Sequence, residues 1–233
     1  MTTVPDNATK PKTVSDVVKH ETDPFTGRGA AKVLAGSGSV RAILLGAVVA
    51  LTTLGTPTVA AKAGGNASNT GALTLDVTTP LRPGAKVGVY TVRCIAAASN
   101  SGTFRVEDPD GNVLGDVAVG ATFDDDVKFV IADGSQDFIV GEGFDITVPA
   151  ATTAKIVAWS PTGAGGAEVP AGIAMADVTA ADGADSVDDL LFLKANALVD
   201  LGQLVWPDGV TSAQKAAALM ALAARGITAS HGY

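Results

Sequence analysis

The sequence predicts a mainly β protein with one C-terminal helix, in which a small split β domain is interrupted by an inserted antiparallel β-sandwich. Three observations support this prediction. After residue 39 the chain alternates between short apolar runs and turns rich in Gly, Pro and Asp, which is typical of strands. One stretch near the C-terminus combines helix formers with a capping signal. The composition, with 47% hydrophobic residues, 27 glycines and 5% aromatics, suits strands built from small and β-branched side chains.

The split domain is predicted over residues 39–61 and 152–233. Its later part contains four strand-like apolar runs that are bounded by turn residues. They are Lys155–Trp159, Val169–Met175, Asp189–Leu193 and Leu204–Pro207. Because so few short strands do not close a core alone, further strands are needed from elsewhere. We expect them in the run Val40–Ala61, as a buried hairpin of Arg41–Val49 and Thr58–Ala61.

Residues 62–151 are predicted to form the inserted sandwich, with an immunoglobulin-like arrangement. Lys62–Asn69 is a linker by composition. After it, apolar residues recur at every second position in runs separated by tight turns, and Phe138–Val140 is one of these runs. Roughly seven short strands at this spacing indicate an antiparallel sandwich.

The C-terminal helix is predicted from its start and stop signals. Thr211 and Gln214 form a capping box, and the following residues to Ala224 are rich in Ala, Leu and Met. Gly226 suits a left-handed position after the helix, and Ile227–Ala229 can add a final strand.

Residues 1–38 are predicted to be an extended N-terminal arm. The segment is polar, contains three prolines, and shows no sustained hydrophobic period. It therefore cannot build a core of its own, and we expect it to lie on a partner chain or an assembly.

Charge and hydropathy exclude two classes of partner. The formal net charge of −8 at pH 7 disfavours nucleic-acid binding, because an acidic surface repels phosphate. The stretch Ala42–Ala61 is uncharged, but Gly46, Gly55 and Pro57 make it a poor membrane-spanning helix. A signal peptide would need a short basic start, whereas about forty residues of mixed charge precede this stretch. We expect no membrane partner.

We predict no catalytic, cofactor-binding or metal-binding residues. The acidic run Glu107–Asn112 lacks the ligand order of a calcium loop, so a tight turn is favoured and a weak cation site is the alternative. Asp124–Asp126 is expected to be a solvated loop, with an acid–base carboxylate pair as the alternative. Cys94 is expected to be a small buried residue. Trp159 and Trp206 favour a core or a subunit interface over a sugar-stacking platform.

The order of motifs along the split domain resembles the head decoration proteins of the phage lambda type. The matching residues are the strand end at Trp159, the run Ala171–Ala174, the run Leu190–Leu193 and the pair Trp206–Pro207 before the helix. Arg41–Leu51 is similar to an early strand of that family. The sandwich is absent from the smallest members, and the arm is longer than theirs.

The resemblance implies a structural virion protein without enzymatic activity or cofactors. It implies a homotrimer on the outer surface of the expanded capsid, at three-fold sites. Each arm would add backbone pairing to the major capsid protein. Six apolar residues are our candidate contacts with the capsid or within the trimer. They are Phe25, Val33, Leu34, Trp159, Trp206 and Pro207.

A second function class stays open from the sequence. The sandwich and the apolar run that begins after Arg41 are also compatible with a secreted bacterial surface adhesin or a carbohydrate-binding module. That alternative predicts cleavage near Ala61. A hydrolase that uses the Asp124–Asp126 cluster is a more distant third.

Overall fold

The computed structural model describes residues 11–66 and 69–230. Residues 1–10 of the predicted arm, residues 67–68 of the predicted linker and residues 231–233 at the C-terminus lie outside the described residues.

Eighteen strands and three helices make up the described part of the chain, which confirms a mainly β fold with one C-terminal helix. The helices are α1 (Val14–Val17), α2 (Pro24–Gly27) and α3 (Ser212–Ala223). The strands before residue 62 are β1 (Val18–Glu21), β2 (Arg28–Lys32), β3 (Arg41–Ile43), β4 (Val48–Leu51) and β5 (Thr58–Ala61). The next seven are β6 (Ala72–Leu75), β7 (Gly88–Ala98), β8 (Ser101–Glu107), β9 (Val113–Ala118), β10 (Thr122–Asp124), β11 (Lys128–Ala132) and β12 (Gly143–Val148). The last six are β13 (Ile156–Ala158), β14 (Pro170–Ala174), β15 (Val178–Ala180), β16 (Asp189–Leu193), β17 (Ala197–Asp200) and β18 (Ile227–Ser230).

Five of these strands form a sheet that closes on itself. Their order is β13-β4-β14-β16-β2, with every neighbouring pair antiparallel. Beyond the end of β2, Val33 bridges to Ile156 of β13, and the Leu34 N–H donates to the Ile156 carbonyl at 2.9 Å. The two outer strands thus meet, and we refer to this closed sheet as the barrel.

Alternation along the barrel strands divides the apolar side chains between two cores. In β4, Val49 faces the cluster inside the barrel with Val33 and Ile156, while Val48 and Ala50 face a second cluster outside. Helix α3 and the three-stranded sheet β1-β17-β18 cover that outer cluster. Burial on both faces explains why β4 lies in a continuous apolar run rather than an alternating one.

The predicted arm is largely part of this body. Strand β1 pairs with β17, and strand β2 pairs with β16, both within the same chain. Val17 and Val33 have no exposed surface, and each belongs to one of the two cores. Part of residues 14–33 thus pairs within this chain, and an extended capsid-binding arm over residues 1–38 stays a prediction. Val17 adjoins Val18, and Val33 adjoins Leu34, but the apolar residues around them show no sustained period that would have indicated a strand.

Residues 58–148 form two further sheets around a shared aromatic cluster. The sheets have the orders β5-β12-β7-β8-β9 and β10-β11-β6. Phe104 and Phe138 meet edge to face with ring centroids 4.8 Å apart, and Phe138 also contacts Phe144. Tyr90 and Phe129 are buried in the same cluster. The immunoglobulin-like sandwich and its bounds as a separate domain stay predictions.

Three predicted strand assignments are wrong. Thr58–Ala61 does not form a hairpin with Arg41–Val49. It pairs with β12 instead, because β4 already has β13 and β14 on its two sides. Phe138–Val140 is a loop that buries Phe138 and leaves Val140 64% exposed. Leu204–Pro207 makes a single bridge, between Val205 and Ala47, after a 3-10 turn.

The C-terminal helix is confirmed in detail. The Thr211 side chain accepts from the Gln214 N–H at 3.3 Å, and the Gln214 side chain accepts from the Thr211 N–H at 2.9 Å. Leu222 turns into the outer core. Gly226 has a φ of 77°, and β18 follows it in parallel pairing with β17.

Candidate functional site

Phe25 is the most exposed of the six candidate contact residues, with 95% of its surface accessible. Helix α2 is a single turn that Asp23 caps: its carboxylate accepts from the Phe25 N–H at 2.9 Å and from the Thr26 hydroxyl at 2.8 Å. These bonds to the charged form, first that from Thr26, hold the pKa of Asp23 below its usual value. The turn is thus fixed locally while its aromatic ring stays in solvent, as expected of a contact residue.

Val33 and Leu34 lie where the barrel closes. Val33 is buried, and its N–H donates to the Ser186 hydroxyl at 2.8 Å. The same hydroxyl donates to the Asp188 carbonyl at 2.7 Å. Leu34 is partly buried against the outer core. Burial of Val33 is therefore explained by packing within this chain.

The two tryptophans are brought together against the outer core. Trp159 is 3% exposed, and its Nε1 donates to the Glu168 carbonyl at 2.9 Å. Trp206 meets it edge to face with ring centroids 5.9 Å apart. The Lys215 ammonium lies 5.7 Å from the Trp206 centroid, within cation–π range. Trp206 and Pro207 keep part of their surface accessible, whereas Trp159 does not.

The six candidates therefore fall into two groups. Val33 and Trp159 are buried within the chain, so in this conformation they offer no surface to a partner. Phe25, Leu34 and the Trp206–Pro207 pair remain available to different degrees. Phe25 lies on its own turn before β2, apart from the tryptophan pair.

A lysine that the sequence analysis did not predict as a partner stabilises the acidic turn after β8. The Asp108 carboxylate accepts from the backbone N–H of Asp110 at 2.9 Å and of Asn112 at 2.8 Å. The Lys86 ammonium lies 2.7 Å from Asp108 and 2.6 Å from Asp110. Lys86 therefore supplies the positive charge of this turn, at the place where the alternative interpretation put a metal cation.

Electrostatics agree with this geometry. The Lys86 bond, with those from Asn112 and Asp110, holds the pKa of Asp108 far below its usual value, and the two carboxylates raise the pKa of Lys86. Both shifts favour the charged forms, so the turn and the ammonium stabilise each other.

The Asp124–Asp126 run has its carboxylates in different surroundings. Arg82 binds Asp124 through two nitrogens, at 2.5 and 2.6 Å. Asp126 is 8% exposed and accepts from the Tyr90 hydroxyl at 3.3 Å. Burial raises the pKa of Asp126, and burial also raises that of Tyr90, to about 12. Asp125 lies in the solvated loop that we expected, whereas Asp124 is exposed but ends β10, and Asp126 is buried.

Within residues 11–66 and 69–230, no group of three or more His, Cys, Asp or Glu side chains is arranged to hold a metal ion. In the same ranges, no helix has the length and apolar character needed to cross a membrane. Cys94 is buried, as predicted.

The chain matches one protein-family model, described as bacteriophage lambda head decoration protein D, over residues 7–227. No curated protein and no solved structure matches it. The match spans the five barrel strands and the sheets of residues 58–148. The chain therefore belongs to the bacteriophage lambda head decoration protein D family, and it is a structural protein that decorates the phage capsid at its surface.

Proposed function

We propose that this decoration protein acts as a homotrimer on the outer surface of the expanded head, at three-fold sites, and that it stabilises the head by binding the major capsid protein. The observation that carries the proposal is the family match over residues 7–227. A protein that binds only the expanded shell stabilises it by mass action. Three linked copies on a rigid lattice add avidity without a deep pocket.

We infer that the N-terminal residues make the backbone contact with the capsid. Strand β1 supports this inference because it is the edge strand of the sheet β1-β17-β18, paired on one side only. An edge strand can accept another strand through main-chain hydrogen bonds. The exposed ring of Phe25 lies four residues beyond β1, so an apolar anchor accompanies this edge.

A secreted adhesin receives less support. Cleavage near Ala61 would remove β4, which has barrel strands on both sides. It would also remove Val17 and Val33 from the two cores. The mature product would lack two of the five barrel strands, β2 and β4.

The test of the arm uses two variants and heads that lack the decoration protein. Deletion of residues 1–10 removes no described element, and Phe25→Ala removes the exposed ring. We expect each change to weaken head binding by roughly tenfold or more and to lower the heat resistance of the heads, with the Tm of the free protein unchanged. Met220→Ala is the control, because Met220 on α3 is itself 75% exposed. Unchanged binding by both variants would contradict the role of the N-terminal region.

The oligomeric state is tested separately by sedimentation equilibrium. The chain mass is 23.1 kDa, so we expect a species of about three times this mass. A monomer that decorates heads at full strength would disprove the trimer and leave the capsid-binding role intact.

A further inference from the structure

A cleft lies between the barrel and the sheets of residues 58–148. Its volume is about 510 Å³, within the range of small-molecule sites. The two chain crossings between these parts form much of its wall, at residues 52–57 and 151–155. The loop after β6, the segment from Leu34 to Arg41, and the pair Ala164–Gly165 form the rest of the wall.

The lining of this cleft differs in charge from the rest of the molecule. The chain has 24 acidic residues and a net charge of −8, yet none of the described residues that line the cleft is Asp or Glu. Two cations are present, Arg41 and Lys155. Lys155 is neutralised from outside the lining by Asp185, whose carboxylate lies 2.6 Å from its ammonium. One positive charge, that of Arg41, therefore faces the cleft without compensation.

Of the six arginines, two have no ion pair among the described residues, namely Arg41 and the exposed Arg225. Four others bind a carboxylate directly, in the pairs Arg28–Glu21, Arg82–Asp124, Arg93–Asp145 and Arg105–Asp116. Arg41 is partly buried, and its Nε donates to the Ala35 carbonyl at 3.2 Å. Among the described residues it has no carboxylate within ion-pair distance. Burial lowers its pKa, so the charge is held in a partly desolvated place without an anion.

The remaining walls combine hydroxyl groups with aliphatic surface. Thr56 and Thr78 are among the residues that contribute hydroxyls, while Leu54, Val77 and Leu81 contribute apolar surface. A guanidinium presents paired donors that match the two oxygens of a carboxylate. One uncompensated charge matches a monoanion, whereas a dianionic phosphate would add negative charge to an already acidic protein.

We propose that this cleft binds a small monocarboxylate, with its carboxylate on Arg41 and its aliphatic body against the leucine and valine side chains. The lining includes Leu34, one of the six candidate contacts, but neither Phe25 nor the tryptophan pair.

The first experiment uses the unaltered full chain and three probes: hexanoate, hexanamide and inorganic phosphate. Saturation-transfer NMR titrations measure the affinity of the two organic probes, and phosphate is added as a competitor. We expect hexanoate to bind saturably, hexanamide to bind at least about tenfold more weakly, and phosphate not to displace hexanoate at equal concentration. Equal binding of hexanoate and hexanamide would overturn the proposal, and so would the absence of saturable hexanoate binding.

The second experiment locates the site. Arg41→Gln should weaken hexanoate binding by roughly tenfold or more, while Arg105→Gln, which removes an exposed ion-paired arginine, should leave the affinity within about twofold. Arg41→Lys keeps the charge and loses the planar fork, so it should show an intermediate affinity. Hexanoate affinity unchanged in Arg41→Gln would disprove the site. If Arg41→Gln does not fold, the comparison of hexanoate with hexanamide and the Arg41→Lys titration still test whether the carboxylate binds at Arg41.

Discussion

The ammonium nitrogen of Lys86 lies 2.7 Å from the carboxylate of Asp108, although 22 positions separate the two residues in the sequence. Lys86 precedes β7, and Asp108 begins the turn between β8 and β9. Because the Asp108 side chain is 3% exposed, its negative charge has little access to water and depends on this partner. One ion pair thus fixes a loop against a turn at the same end of a five-stranded sheet.

The first prediction concerns removal of this ammonium. Lys86→Met keeps most of the aliphatic stem but leaves the buried Asp108 carboxylate without its cation. We expect a clear decrease in the Tm at pH 7, measured by thermal unfolding followed by circular dichroism. Lys32→Met is a matched control, because Lys32 pairs with Asp189 where both side chains are about half exposed. Equal Tm values for the two variants would contradict the role assigned to Lys86.

A second prediction contrasts two buried carboxylates with opposite pKa shifts. The pKa of Asp108 is lowered in the folded protein, so its contribution to stability is present above the unfolded value of about 3.9 and is lost as the pH falls below it. The pKa of Asp126 is raised by burial, so ionisation of Asp126 opposes folding once the pH exceeds about 3.9.

Asp108→Asn should therefore lower the free energy of unfolding at pH 7, and this loss should shrink at about pH 3. Asp126→Asn should leave stability at pH 7 unchanged or raise it, since the amide oxygen can still accept from the Tyr90 hydroxyl. Urea unfolding of both variants across this pH range provides the measurement. A large loss of stability in Asp126→Asn at pH 7 would show that its negative charge is needed.

A third prediction concerns Trp159. Its ring fills the outer core, so Trp159→Ala should lower the free energy of unfolding by about 3–5 kcal/mol. Trp206→Ala should have a smaller effect, because Trp206 is only partly buried. Denaturant unfolding followed by tyrosine fluorescence or circular dichroism gives both values. A larger loss for Trp206→Ala than for Trp159→Ala would contradict the prediction that the Trp159 ring contributes more to stability.

The fourth prediction separates the two parts of the N-terminal region. Deletion of residues 1–38 removes two sheet strands and the valines of two cores, so the product should not fold cooperatively. Deletion of residues 1–10 removes none of these and should unfold in a single transition close to that of the full chain. Amide exchange and thermal unfolding distinguish the two products. A stably folded product without residues 1–38 would contradict the closed barrel.

Local signals were sufficient for much of the fold. The capping box at Thr211 and the left-handed Gly226 specify the helix and its end from a few neighbouring residues. Alternation also specified β12, because Phe144, Ile146 and Val148 share one buried face. Such assignments need no knowledge of the partner strand.

Other features depend on residues that are far apart in the sequence. Val33 is buried because Ile156 lies beside it, and its sequence neighbours do not indicate this contact. The predicted pairing partner of Thr58–Ala61 is wrong, because the apolar pattern of a strand does not identify the strand beside it. The same holds for the cleft. Arg41 differs from the four ion-paired arginines in what surrounds it, and only the folded chain shows that no carboxylate of a described residue lies within ion-pair distance of it.

The two chain crossings between the barrel and the sheets of residues 58–148 run side by side. Leu54 bridges Ala150 in antiparallel fashion, and the Gly55 N–H donates to the Pro149 carbonyl at 2.8 Å. The chain thus leaves the barrel and re-enters it about one strand spacing apart, roughly 5 Å. Because the two crossings are adjacent, we expect that a folded polypeptide with neighbouring termini can replace residues 58–148 without shifting the register of the barrel strands.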